Sequence, residues 1–146
     1  MNTSDALLHN LYQTTRIVAK GINRLLEPWG LFSSEWSILR VLKLNGPQTQ
    51  RTLALLLHIE PPAITKSLIR LERKGFIDRI EGTDRRTKEV SLSEEALRLY
   101  PEWEKIIRKH REALLAGFAE EKKNELRSLL ANMRENALQF METGVL

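Results

Sequence analysis

The chain has 146 residues, 42% hydrophobic and 29% charged, with no cysteine; this is ordinary globular usage, and it excludes disulfides, thiolate metal sites and a cysteine nucleophile or redox switch. The longest uninterrupted apolar stretch, Leu53 to Leu57, is far short of the roughly 20 residues of a spanning helix, and no basic-then-apolar signal pattern opens the chain, so a cytoplasmic protein without membrane contact is expected. The net charge is only +4, yet residues 51–88 hold nine basic side chains against five acidic while the remainder carries 14 of each, so the whole surplus sits in one segment.

From Ser4 to Glu27 the apolar residues Leu7, Leu11, Val18, Ile22 and Leu25 keep the spacing of one helix face. Thr3 or Ser4 is the expected cap, and Pro28 the stop. A second helix is predicted from a Ser33 or Ser34 cap to about Leu44, with Glu35 near its positive end. Its apolar residues occupy more than one face, which predicts a central, buried position. Asn45-Gly46-Pro47 breaks the chain. Thr49 then caps a short helix over Gln50 to Leu57, with Leu53, Leu56 and Leu57 pointing inward. His58 to Glu60 forms a turn, Pro61-Pro62 opens the next helix, and that helix runs to Lys74 and ends at Gly75. Two short helices joined by a tight turn make a helix-turn-helix.

Beyond Gly75 the helical period is lost. Phe76 to Glu81 and Glu89 to Leu92 read as strands, and the polar run from Gly82 to Thr87 reads as an exposed hairpin tip, a wing. Ser93-Glu94-Glu95 restarts a long helix that reaches Phe118, in which Pro101 either bends the helix or marks a delayed start. Gly117 weakens its end, and a last helix covers about Glu120 to Glu142. The predicted fold class is mainly α with a small β-hairpin wing: an N-terminal dimerisation helix (1–32), a winged helix-turn-helix (33–93) and C-terminal dimerisation helices (94–146). The outer helices carry more apolar surface than a small winged domain needs, so they are expected to pack together and against a second copy.

On the helix after the turn, Ile64, Leu68 and Leu71 share a narrow arc and form the expected buried seam, leaving Lys66, Arg70 and Arg73 on the opposite side. Thr65 flanks that side near the N-terminal end, where a helix in the major groove presents its base-contacting residues. Thr65, Lys66 and Arg70 are therefore the candidates for base edges or phosphates, and Arg73 for backbone. At the wing tip, Arg85 and Arg86 are candidates for the minor groove, and Asp84 for orienting an arginine through a bidentate pair.

With these elements in order, the chain resembles the MarR family of bacterial transcriptional regulators. The resemblance rests on LALLLHIEPPAITKSLIRLERKGFIDR (53–79), on Asp84-Arg85-Arg86 in the wing and on Val90-Ser91-Leu92-Ser93 in the return strand. Within it stand Leu71-Glu72 before Lys74-Gly75, a strand ending in Arg79, and an Asp-x-Arg wing; Ala96 replaces the family's usual glycine after the wing. It implies a homodimeric winged-helix repressor or activator on a pseudo-palindromic operator of double-stranded DNA. Carried over residue by residue, Thr65, Lys66 and Arg70 match the recognition-helix positions and Asp84 with Arg86 the wing pair, with Arg85 a candidate phosphate contact; Pro62, Ala63 and Arg73 complete the candidate DNA site on the recognition helix. The family commonly releases DNA on binding a small aromatic or phenolic effector, for which Tyr12, Arg16, Trp36 and Arg40 are the candidate cleft. The competing reading is a winged-helix protein-interaction module without an operator. His9, His58 and His110 lack paired ligand spacing, and neither a glycine-rich phosphate loop nor a nucleophile motif occurs, so no catalytic residue, metal site or cofactor is expected.

Overall fold

The computed structural model describes residues 1–82, 84 and 86–144. Helix α1 (Thr3–Leu25) starts where Asn2 Oδ1 accepts the Asp5 N–H at 2.8 Å, so the cap is Asn2 rather than Thr3 or Ser4. Pro28 is absorbed in a single 3-10 turn (Glu27–Trp29). Helix α2 (Ser33–Asn45) is not capped by a serine hydroxyl: Glu35 Oε1 accepts the Phe32 N–H at 3.2 Å, and Asn23 Oδ1 of α1 accepts the Ser33 N–H at 2.7 Å. Two otherwise orphaned donors are satisfied in this way, one from within the helix and one from its neighbour.

Strand β1 (Gln48–Thr49), which has no signal in the sequence, leads directly into α3 (Gln50–Leu57), where Thr49 Oγ1 accepts the Thr52 N–H at 3.1 Å as expected of a cap. Leu53 and Ala54 are the buried residues of α3; Leu56, expected inside, is exposed. His58 ends the helix in the left-handed region (φ 53°), a conformation that disfavours any residue bearing a Cβ. Helix α4 (Pro61–Arg73) follows, and Gly75 (φ 78°) turns the chain out of it.

Strands β2 (Ile77–Glu81) and β3 (Lys88–Leu92) pair antiparallel with Arg79 opposite Val90, and β1 adds to the far edge of β3, giving the order β1-β3-β2. The wing is thus tied back to the start of the helix-turn-helix, which a hairpin alone would not achieve. Helix α5 (Glu94–Leu114) opens with Ser93 Oγ accepting the Ala96 N–H at 3.1 Å and runs on through Pro101, so the proline marks no delayed start. It stops at Leu114, short of Phe118, and α6 spans Glu120–Thr143.

The chain divides into two compact units, residues 1–110 and 111–146. In the first, Leu26, Leu31, Ile38, Leu39, Leu53, Ile64, Leu68, Leu71, Val90 and Trp103 are fully buried. Trp103 meets Trp29 and Phe76 edge-on, with ring centroids 6.4 and 5.0 Å apart, a favoured arrangement for aromatic pairs. Gly21 of α1 lies so close to His110 of α5 that an added Cβ would stand 2.7 Å from its Nε2. In the second unit α6 buries no residue, and an open groove of about 450 Å³ is lined by Gly117, Phe118, Lys122, Leu126 and Leu129, among others.

Candidate nucleic-acid interface

The recognition helix has two distinct faces. Ile64, Ser67, Leu68 and Leu71 of α4 are buried, as the helical spacing requires, while Pro62, Ala63, Lys66 and Arg73 are exposed. Lys66 and Arg73 make no ion pair among the described residues, so their charge is available to an anionic partner.

Thr65 and Arg70 are placed differently from the expectation of free, outward side chains. Thr65 is half-buried: its hydroxyl donates to the Pro61 carbonyl at 3.1 Å and accepts an N–H from the Gln50 carboxamide at the start of α3. Arg70 folds back onto the domain, with Nη2 donating to Ser67 Oγ at 3.3 Å and Nε 3.8 Å from Glu35 Oε1. Lys74 Nζ lies 2.9 Å from the other carboxylate oxygen of Glu35, which is wholly buried. Both cations flank the Phe32 ring, at 5.9 and 5.8 Å from its centroid. Burying a carboxylate is tolerable only when it is paired and hydrogen-bonded; Glu35 meets that condition with Lys74, Arg70 and the Phe32 N–H, and so ties the base of α4 to the start of α2.

At the wing, Asp84 Oδ1 accepts the backbone N–H of Arg86 at 3.1 Å, its carbonyl accepts the Thr87 N–H at 2.9 Å, and the Gly82 N–H donates to the Thr87 carbonyl at 2.9 Å. The carboxylate therefore shapes the turn. The expected bidentate pair is not made by Arg86, whose exposed guanidinium has no ion pair among the described residues. Arg85 lies outside the described residues. Arg79 on β2 is engaged with Glu72 at 2.9 Å, so it belongs to the scaffold that joins α4 to the wing.

The four proposed cleft residues form two pairs one turn apart, Tyr12 with Arg16 on α1 and Trp36 with Arg40 on α2. Tyr12 and Arg16 are exposed on α1 and Arg40 on α2, whereas Trp36 is only 4% exposed and stacks on Tyr100 at 5.3 Å. No hydrogen bond, ion pair or ring contact joins any two of the four among the described residues. The residues missed by sequence reasoning are Glu35 and Gln50. Both had a local signal, Glu35 in its capping-box distance from Phe32 and Gln50 in its place beside the Thr49 cap, but their partners lie 39 and 15 residues away.

Comparison with known proteins decides the family. The MarR family model matches residues 31–88, and the uncharacterised HTH-type transcriptional regulator YwoH of Bacillus subtilis (strain 168) is 42% identical over 117 residues, 80% of this chain and 85% of that protein. The chain belongs to the MarR family. A MarR transcriptional regulator from Methanosarcina mazei Go1 superposes with a TM-score of 0.80 at 25% identity, covering 93% of this chain and 99% of that one. The organohalide-sensing regulator RdhR-CbdbA1625 in its 2,4-dichlorophenol-bound form matches in fold, with a TM-score of 0.83 at 24% identity over 94% of this chain and 83% of that one. This MarR-family chain is accordingly a transcriptional regulator with a DNA-binding winged-helix fold. Among the described residues, no helix is long and apolar enough to cross a membrane.

Proposed function

We propose that this regulator is a cytoplasmic repressor that binds a pseudo-palindromic operator as a homodimer and is released by a small aromatic or phenolic ligand. The observation that carries the reading is the set of cations without an ion pair among the described residues, Lys66 and Arg73 on the exposed face of α4 and Arg86 on the wing, with the opposite face of α4 sealed into the core. Lys66, with Pro62, Ala63 and Thr65, lies at the base edges; Arg73 meets backbone; Arg70 joins by exchanging Ser67 for a phosphate or base; and Arg86, on a turn shaped by Asp84, enters the minor groove together with Arg85.

Dimerisation through residues 1–32 and 94–146 is supported by the faces of α1 and α6, neither of which holds a buried residue. Leu7, Leu8, Tyr12 and Ile17 of the one, and Leu126, Leu129, Leu130, Phe140 and Met141 of the other, are exposed, and apolar faces of this extent mark interaction surfaces. Two recognition helices so joined would meet half-sites about 10 base pairs apart. Ligand control, through Tyr12, Arg16, Trp36 and Arg40, draws support from the phenol held by the structurally similar RdhR-CbdbA1625. The experiment is a gel-shift with DNA upstream of the chain's own gene at physiological salt. A sequence-preferring complex that dissociates on adding chlorophenol is expected; absence of sequence preference would favour an interaction module, and an undiminished complex would remove ligand control.

A further inference from the structure

Gln50 and Thr65 are linked across the helix-turn-helix, and the accounting of their donors and acceptors assigns them different tasks. A threonine hydroxyl has one hydrogen to give and two lone pairs. That hydrogen goes to the Pro61 carbonyl one turn back, and one lone pair is taken by Gln50 Nε2. Thr65 thus has no donor left for the acceptor atoms that guanine, adenine and thymine show in the major groove. What remains for a base edge is its methyl group, held in one rotamer because the bond to Pro61 fixes χ1.

The Gln50 carboxamide is in the complementary position. With one N–H committed to Thr65, it keeps a second N–H and the whole of Oε1, and neither bonds anything among the described residues. Gln50 is half-buried, and its Oε1 is not sealed from solvent. One free donor beside one free acceptor is the pattern that matches adenine N7 and N6. The side chain is already pinned by Thr65, which removes part of the ordering cost that a free glutamine would meet on binding. Pro62 and Ala63, exposed in the first turn of α4, bring no polar side-chain group that would compete.

We infer that Gln50, at the first turn of α3, is a specificity-determining residue that reads an adenine in the major groove, and that Thr65 contributes to readout through its methyl against a neighbouring thymine rather than through its hydroxyl. The inference rests on the operator-binding reading above. Selection of bound duplexes from a random pool by the full-length wild type, Gln50→Ala, Thr65→Val and Thr65→Ser tests both. Gln50→Ala is expected to lose one adenine preference, by roughly 5- to 150-fold in discrimination, with binding to random DNA unchanged because the phosphate-facing cations are intact. Thr65→Val, which keeps a methyl, is expected to retain the thymine preference, and Thr65→Ser to lose it. A Gln50→Ala motif identical to that of the wild type would overturn the assignment of Gln50; loss of the thymine preference in Thr65→Val with retention in Thr65→Ser would overturn that of Thr65. If the wild type itself enriched no motif, the operator reading would fall first and this inference with it.

Discussion

The helix-turn-helix with its wing and the two outer helices are built from similar fractions of apolar residue but end in opposite conditions. Around α4, the seam positions at helical spacing find partners, so that Ile64, Leu68 and Leu71 are fully buried, although Ile69 outside the seam stays 40% exposed. In α6 the apolar positions also recur along the helix but are less sharply segregated, and Leu129 remains 57% and Phe140 52% exposed. Charge divides the same way, with the basic surplus confined to residues 51–88 and the remainder neutral. Amphipathic spacing therefore shows which face a helix buries and leaves open whether the cover comes from its own chain. A closed core with unpaired cations suits an anionic partner; an open apolar face without surplus charge suits another copy.

That contrast can be broken most forcefully from the core. Trp103→Ala removes a fully buried ring between Trp29 and Phe76, and a loss of about 4 kcal/mol in chemical denaturation is expected. Glu35→Ala strands Lys74 and Arg70 and uncaps α2; because Lys74 is a quarter exposed, the expected loss is about 3 kcal/mol, at the lower end for breaking a buried pair. Leu129→Glu on α6 should leave the melting of the winged core intact while shifting the protein from dimer to monomer in light scattering. A monomeric wild type would show that the face of α6 is not covered by a second copy.

Smaller effects sharpen the other side. Arg86→Ala should weaken operator binding by about 1 kcal/mol and lower the salt slope by about one counterion, with dimerisation unchanged; unaltered affinity in a fluorescence titration would reject the wing contact. His58→Gly relieves a left-handed residue at the turn and should raise stability by about 0.5 kcal/mol once the added chain entropy of glycine is subtracted.

Much of this fold was legible because its signals are local. The Thr49 cap, the Pro61 start, the left-handed Gly75 and the seam of α4 each depend on residues within a turn or two. The cap of α1 was misread because Asn2, Thr3 and Ser4 are all competent, and only backbone geometry selects among them. Strand β1 is too short to show any period, and its existence depends on β3 lying alongside. Leu56 and Leu57 differ by one helical step, too little for pattern to decide which is inward. At the site, the exposed cations Lys66, Arg73 and Arg86 were readable from the wheel and the turn. The inward pose of Arg70 was not, since it requires a carboxylate 35 residues earlier to be buried beneath it.

The proposed function stands or falls on whether α4 and the wing read a defined duplex sequence. Its most direct test is a fluorescence-anisotropy titration of the purified full-length protein against a selected operator and a scrambled duplex of equal length, repeated across salt concentrations. Binding at least roughly 10³-fold tighter to the operator is expected at physiological salt, with affinity for both duplexes falling steeply as salt rises. Equal affinity for the two duplexes at every salt concentration would contradict it.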